Sequence, residues 1–186
     1  PLSLPYEALA GVIADEWRAQ QERIDLQSMY NTRLAHVAID RATRAAAELA
    51  AEAVRYAETD LVCHLADAPP KLRDRQQASW GPLREWAADE MGVRLKAVVG
   101  IIPQEQPKES LEAMRRHVAA LDAFRLAGLV HGVALLGSAV LGLAVERARL
   151  RASDAYELSR LDEQFQIELW GEDAEAARRR AHRWAE

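Results

Sequence analysis

Between Leu126 and Val145 the chain reads LAGLVHGVALLGSAVLGLAV, twenty residues with no Asp, Glu, Lys or Arg. A charge-free stretch of this length has to be taken out of water, and two arrangements do that. One helix of about twenty apolar residues spans a bilayer, and Gly128 with Gly132 makes the small-xxx-small step of packed membrane helices. Two shorter helices can instead form a hairpin buried inside a bundle. His131 sits in the middle of the run, and Gly137-Ser138 reads as a stop followed by a fresh cap. The flanks, Arg125 and Glu146-Arg147, carry no belt of Trp or Tyr. These features favour the buried hairpin.

The rest of the sequence is written in helix-forming residues, chiefly Ala, Leu, Glu and Arg. The expected fold class is mainly α: a compact, bundle-like domain of several helices covering residues 1–186. A length of 186 residues suffices for a core of its own. Pro5 starts a first helix whose stripe is Tyr6, Leu9, Ile13 and Trp17, with Asp15 and Glu16 beside it in solvent. Asn31 or Thr32 caps a long second helix whose inner side runs from Leu34 and Val37 through Leu49 to Ala53. Lys71 to Ala78 and Ser79 to Met91 read as two helices, the second with Pro82 in its first turn and Trp80, Leu83 and Trp86 turned to the core. Val93 to Ile102 is the best strand candidate, and pairing with Leu61 to Leu65 would make a small two-stranded β ribbon. Ser153 caps a helix that runs on through Leu158, Leu161, Phe165 and Leu169 to Gly171. Asp173 caps a last, arginine-rich helix.

Several chemistries find no support. A net charge of −5 argues against general nucleic-acid binding. GVALLGS, from Gly132 to Ser138, lacks the lysine of a phosphate loop. No Glu is followed by a His three residues later, the step that di-metal bundles need. His36 and Asp40 are too few to hold a metal. Cys63 is the one cysteine, and adjacent Cys63 and His64 point in different directions, which suits a buried structural thiol better than a nucleophile and its base. The expectation is a protein without catalytic activity, cofactor, metal or small-molecule substrate, in a reducing compartment.

What remains is Leu161 to Asp173, LDEQFQIELWGED, which crowds a Phe, a Trp and five carboxylates into one helix end. Leu161, Phe165 and Leu169 form its core stripe. Glu163, Gln166 and Glu168 lie off that stripe. Trp170 is expected in the core.

This motif resembles the C-terminal signature of the ATP synthase assembly factor 2 family, found in mitochondria and α-proteobacteria. LAGVIADEWRAQ (Leu9 to Gln20), TRLAHVAID (Thr32 to Asp40), RYAETDLVC (Arg55 to Cys63), WGPLREWA (Trp80 to Ala87) and GSAVLGLAV (Gly137 to Val145) are similar to other family segments, in the same order. The sequence departs from the family at Met29 to Thr32, at His64-Leu65 and at Gly142, where alanine is usual. The resemblance implies a holdase that covers the free α subunit of the ATP synthase catalytic head until the β subunit replaces it. It also implies a soluble protein, cytoplasmic in a bacterium and in the matrix of mitochondria, and a β-rich domain upstream of Pro1 that this chain lacks. It places an important acidic residue in the final motif, which makes Glu163 the first candidate for partner contact, Glu168 the second, and Gln166 their neighbour. Asp60, in the central motif, is the next, with a helix cap as its alternative role. The residues alone remain compatible with a helical interaction module for a different partner.

Overall fold

The computed structural model describes residues 4–172 together with 177, 178, 183 and 184. Within them, α1 (Glu7–Arg18) leads through a 3₁₀ turn (Leu26–Ser28) into α2 (Tyr30–Val37), a π turn (Ala38–Ala42) and α3 (Ala46–Glu58). A second 3₁₀ turn (Leu61–Cys63) enters β1 (His64–Leu65), followed by α4 (Pro70–Met91) and β2 (Val98–Val99). Five helices follow: α5 (Lys108–Ala119), α6 (Ala123–Leu136), α7 (Ala139–Glu146), α8 (Ala152–Ser159) and α9 (Leu161–Trp170).

The charge-free run is the α6–α7 hairpin. Gly137 takes the left-handed conformation (φ 66°) that ends α6, and Ser138 Oγ accepts the Leu141 N–H at 3.0 Å to open α7. No helix among the described residues is long and apolar enough to cross a membrane. Ala139 through Ala144 are all buried, so α7 is surrounded on every side by α3, α4, α6 and α8. An apolar helix with no wet face needs that placement. Burying each of its large side chains, Val140, Leu141 and Leu143, contributes roughly 1.5–3 kcal/mol. Gly142 allows the close crossing: a Cβ there would stand 2.5 Å from Val133 Cγ2.

The ribbon joins β1 to β2 in parallel, with His64 opposite Val98 and Leu65 opposite Val99. It is shorter than the β-branched run from Val93 to Ile102 suggests. Side chains occupy the backbone groups that a longer strand would offer. Ser110 Oγ accepts from Arg94 N and donates to Arg94 O, and the Gln106 amide does the same for Lys96.

Other expectations needed correction. Residues 70–91 form one helix, with Pro82 inside it on the exposed side. The expected long second helix is broken at Ala45 (φ −129°, ψ 34°), just after Thr43 Oγ donates back to the carbonyls of Ala38 and Ile39. Such back-bonding competes with helix continuation. Neither Asn31 nor Thr32 caps α2. Glu16 reaches across from α1, Oε1 accepting from Asn31 N (2.7 Å) and Oε2 from Thr32 N (2.8 Å), so this carboxylate is not simply solvated. Of the α1 stripe only Ile13 is buried. The Ser153 helix is two helices, α8 beginning after Arg151 and α9 after a break at Arg160. Asp173 lies outside the described residues.

Candidate functional site

α9 is short, and only Leu161 is fully buried, with Phe165 packed against the core behind it. Its attachment to α4 is polar. Gln76, almost completely buried, donates through Nε2 to Asp162 Oδ1 at 2.7 Å and accepts the Ala66 N–H through Oε1 at 2.7 Å. One amide therefore links the end of β1 to the first turn of α9. Glu168 accepts from Arg75 Nη1 with both carboxylate oxygens at 2.8 Å. Trp80 of α4 donates its indole N–H to the Leu158 carbonyl at 3.0 Å, fixing the end of α8 in the same way.

The opposite side of α9 faces solvent. Glu163, Gln166 and Trp170 step by three and four along one stripe, and all are exposed. Trp170 is 78% accessible and Leu169 56%, so neither belongs to the core. With Gly171 ending the helix one residue later, no element of the described chain covers them. Glu163 is 3.5 Å from Arg160 Nη1, a long contact whose carboxylate side is half-exposed and which contributes little to stability. Glu168 is also exposed but is held by Arg75.

Asp60 is placed differently. It is fully buried and presents no surface to a partner. Its Oδ1 accepts from Val62 N at 3.1 Å and its Oδ2 from Val140 N at 3.0 Å, so it caps the Leu61–Cys63 turn and α7 together. Burial pushes its carboxyl up to about 6, against donors from Ser138, Val140, Val62 and Ala139 that favour the charged form. Cys63 beside it is buried, and its thiol is pushed up to about 12 by burial and by the Asp60 carboxylate.

The structure also has a groove that periodicity did not disclose. Between α6, the end of α7 and α8 lies a cavity of about 570 Å³, walled by apolar side chains and by Tyr156. Gly128 and Gly132 are at its floor, and a Cβ at either would meet nothing within 4 Å. This glycine pair packs against no helix; it leaves room. At one end Glu146 is bonded to Arg125 and to His117 Nε2 (2.8 Å). At the other the groove passes into a depression of about 160 Å³ bordered by Arg160, Glu163 and Arg183. The depression at the groove's end and the outward stripe of α9 thus meet at Glu163, whereas Glu168 faces α4 and Asp60 lies in the core. The glycine spacing was the one sequence signal for the groove. Asp162, bound to a buried glutamine, had no distinguishing signal among its neighbouring acids.

The sequence profile of the ATP12 chaperone protein family matches residues 1–88. The mitochondrial protein Atp12 of Schizosaccharomyces pombe is 28% identical over 180 residues, 90% of this chain and 62% of that protein. The chain therefore spans less than two thirds of that relative's length. The crystal structure of Atp12 from Paracoccus denitrificans superposes with a TM-score of 0.91 at 46% identity, covering 100% of this chain and 79% of that one. An aspartate-to-lysine variant of the Paracoccus protein matches at a TM-score of 0.92 and 45% identity over the same shares.

Proposed function

The chain belongs to the ATP12 chaperone family, and from that membership we propose that it is an ATP synthase assembly chaperone whose client is the free α subunit of the catalytic head. It covers a surface that the α subunit later buries against β, and it gives that surface up during assembly. No reaction is catalysed. The work is done by binding energy alone, in the cytoplasm of a bacterial source.

The observation that carries this reading is the outward face of α9. A large exposed ring, Trp170, stands beside Leu169, with Glu163 and Gln166 on the same side. An aromatic anchor with a polar surround is the composition of a protein interface, and the anchor supplies most of the affinity once water is excluded around it. Glu163 is free to exchange its long contact with Arg160 for a client guanidinium, which a carboxylate can receive through two parallel hydrogen bonds. Glu168 keeps its pair with Arg75 and orients the helix. Asp60 acts from the core by holding α7.

The test is capture of purified α and β subunits by the immobilised chain. Retention of α with at least a tenfold preference over β is expected. Equal retention, or none, refutes the reading.

A further inference from the structure

The groove between α6 and α8 already has an occupant. Leu135 is the next-to-last residue of α6, so its carbonyl is among those with no partner inside the helix. The partial negative charge of a helix C-terminus gathers there and favours a cation. Arg183 Nη2 donates to that carbonyl at 3.5 Å. The next residue, Trp184, sets its ring edge-on to Tyr156, centroids 5.4 Å apart at 74°. The acceptor for a guanidinium and the wall for an aromatic ring are thus adjacent, and one Arg-Trp pair uses both.

This occupancy is weak. The hydrogen bond is long, Trp184 is still 52% exposed, and the floor at Gly128 and Gly132 is empty. About 570 Å³ stays open with Arg183 and Trp184 in place. A client segment that filled the floor would bury apolar area that the chain's own residues leave open, and such burial favours binding.

We propose that the α6–α8 groove is a receptor for a guanidinium beside a large aromatic ring on the client, and that Arg183 and Trp184 hold it in the free chain until such a segment displaces them. The inference rests on the chaperone reading above, and it adds the chemistry of the docking segment and a built-in competitor.

The experiment uses the full chain, a fluorescein-labelled peptide of residues 174–186 and the isolated ATP synthase α subunit. Trp184→Ala takes the chain's own ring out of the groove, so the peptide should bind that variant about tenfold tighter than the unsubstituted chain, as for a site occupied nine-tenths of the time. Adding Gly132→Leu, at a position where a side chain meets open space, should abolish peptide binding while circular dichroism stays unchanged. Equal peptide binding with and without Trp184, or binding that survives Gly132→Leu, overturns the inference. The α subunit should bind the Trp184→Ala variant about tenfold tighter and expel the peptide. An α subunit that binds but leaves the peptide in place overturns the inference and leaves the chaperone reading standing. One that binds neither chain overturns both.

Discussion

Asp60 holds the first turn of a helix that begins eighty residues later: its Oδ2 accepts the Val140 N–H at 3.0 Å inside the core. The same carboxylate caps its own 3₁₀ turn through Val62, and Leu61 N donates to Gly137 O at 3.2 Å. These bonds tie the two ends of the chain's central crossing together. Asp60→Ala leaves at least two buried N–H groups unpaired, each costing about 1–3 kcal/mol. The expected loss is about 3 kcal/mol or more by urea unfolding. A loss under about 1 kcal/mol would show that water takes over the cap.

The same residue makes stability depend on pH. Its carboxyl, raised by burial to about 6, holds its proton more tightly in the folded chain than in the unfolded one. Its contribution is therefore complete below the unfolded value near 3.8 and is lost as pH rises through about 6, worth about 3 kcal/mol. Glu16 works in the opposite sense. Burial pushes it up, but the Thr32 and Asn31 donors outweigh that and hold it below the ordinary range. Its contribution is present above the unfolded value and is lost as pH falls through the folded one. Carbon-detected NMR of the carboxyl groups should give Asp60 a midpoint near 6 and Glu16 one below 4.5. An Asp60 midpoint below 4 contradicts the assignment.

Glu163→Lys reverses a charge that is half-exposed and loosely paired. It should change stability by no more than about 0.5 kcal/mol and weaken α-subunit binding at least tenfold. Isothermal titration calorimetry paired with thermal unfolding separates the two effects. If the variant unfolds, the residue is structural and the contact assignment fails.

Trp170→Ala should behave the same way, because the ring is 78% exposed. A core tryptophan would cost about 3–5 kcal/mol on truncation, which makes Trp80→Ala, with the ring at 0% exposure and bonded to Leu158, the matched control. Equal destabilisation by the two substitutions would return Trp170 to the core.

Gly142→Ala introduces a methyl 2.5 Å from Val133 Cγ2. Valine in a helix has one strongly preferred rotamer and yields poorly. The overpacking, about 1–3 kcal/mol, should exceed the gain of about 1 kcal/mol in helix propensity. Val133→Ala in the same chain should recover much of the loss, a coupling that a double-mutant cycle measures. Additive effects would mean that the crossing relaxes elsewhere.

The α6–α7 hairpin was legible because its signals are local. Gly137 supplies the left-handed turn and Ser138 the cap, and both act within a few residues. The ribbon was legible as a short apolar run paired with a β-branched one, though not in length, since Gln106 and Ser110 took its backbone groups. The break at Ala45 and the continuity of α4 through Pro82 were not legible: Thr43 turns its hydroxyl back on the Ala38 and Ile39 carbonyls, and the buried face of α4 runs on past a proline that lies on its exposed side. In the candidate site, periodicity separated Glu163 and Gln166 from Leu161, and the structure has them outward.

Periodicity says which residues share a face of a helix, and composition says that some face must be covered. By themselves they determined a mainly helical chain, a buried apolar hairpin and an acidic–aromatic helix end. They do not say what covers each face. The hydrophobic effect is non-directional, so the ring of Trp170 is equally served by the chain's own core or by a partner's surface. Only the tertiary structure left Trp170 in water, buried the Asp60 carboxylate against Val140, and opened a groove over Gly128 and Gly132. Each of those outcomes depends on elements brought together from distant parts of the chain.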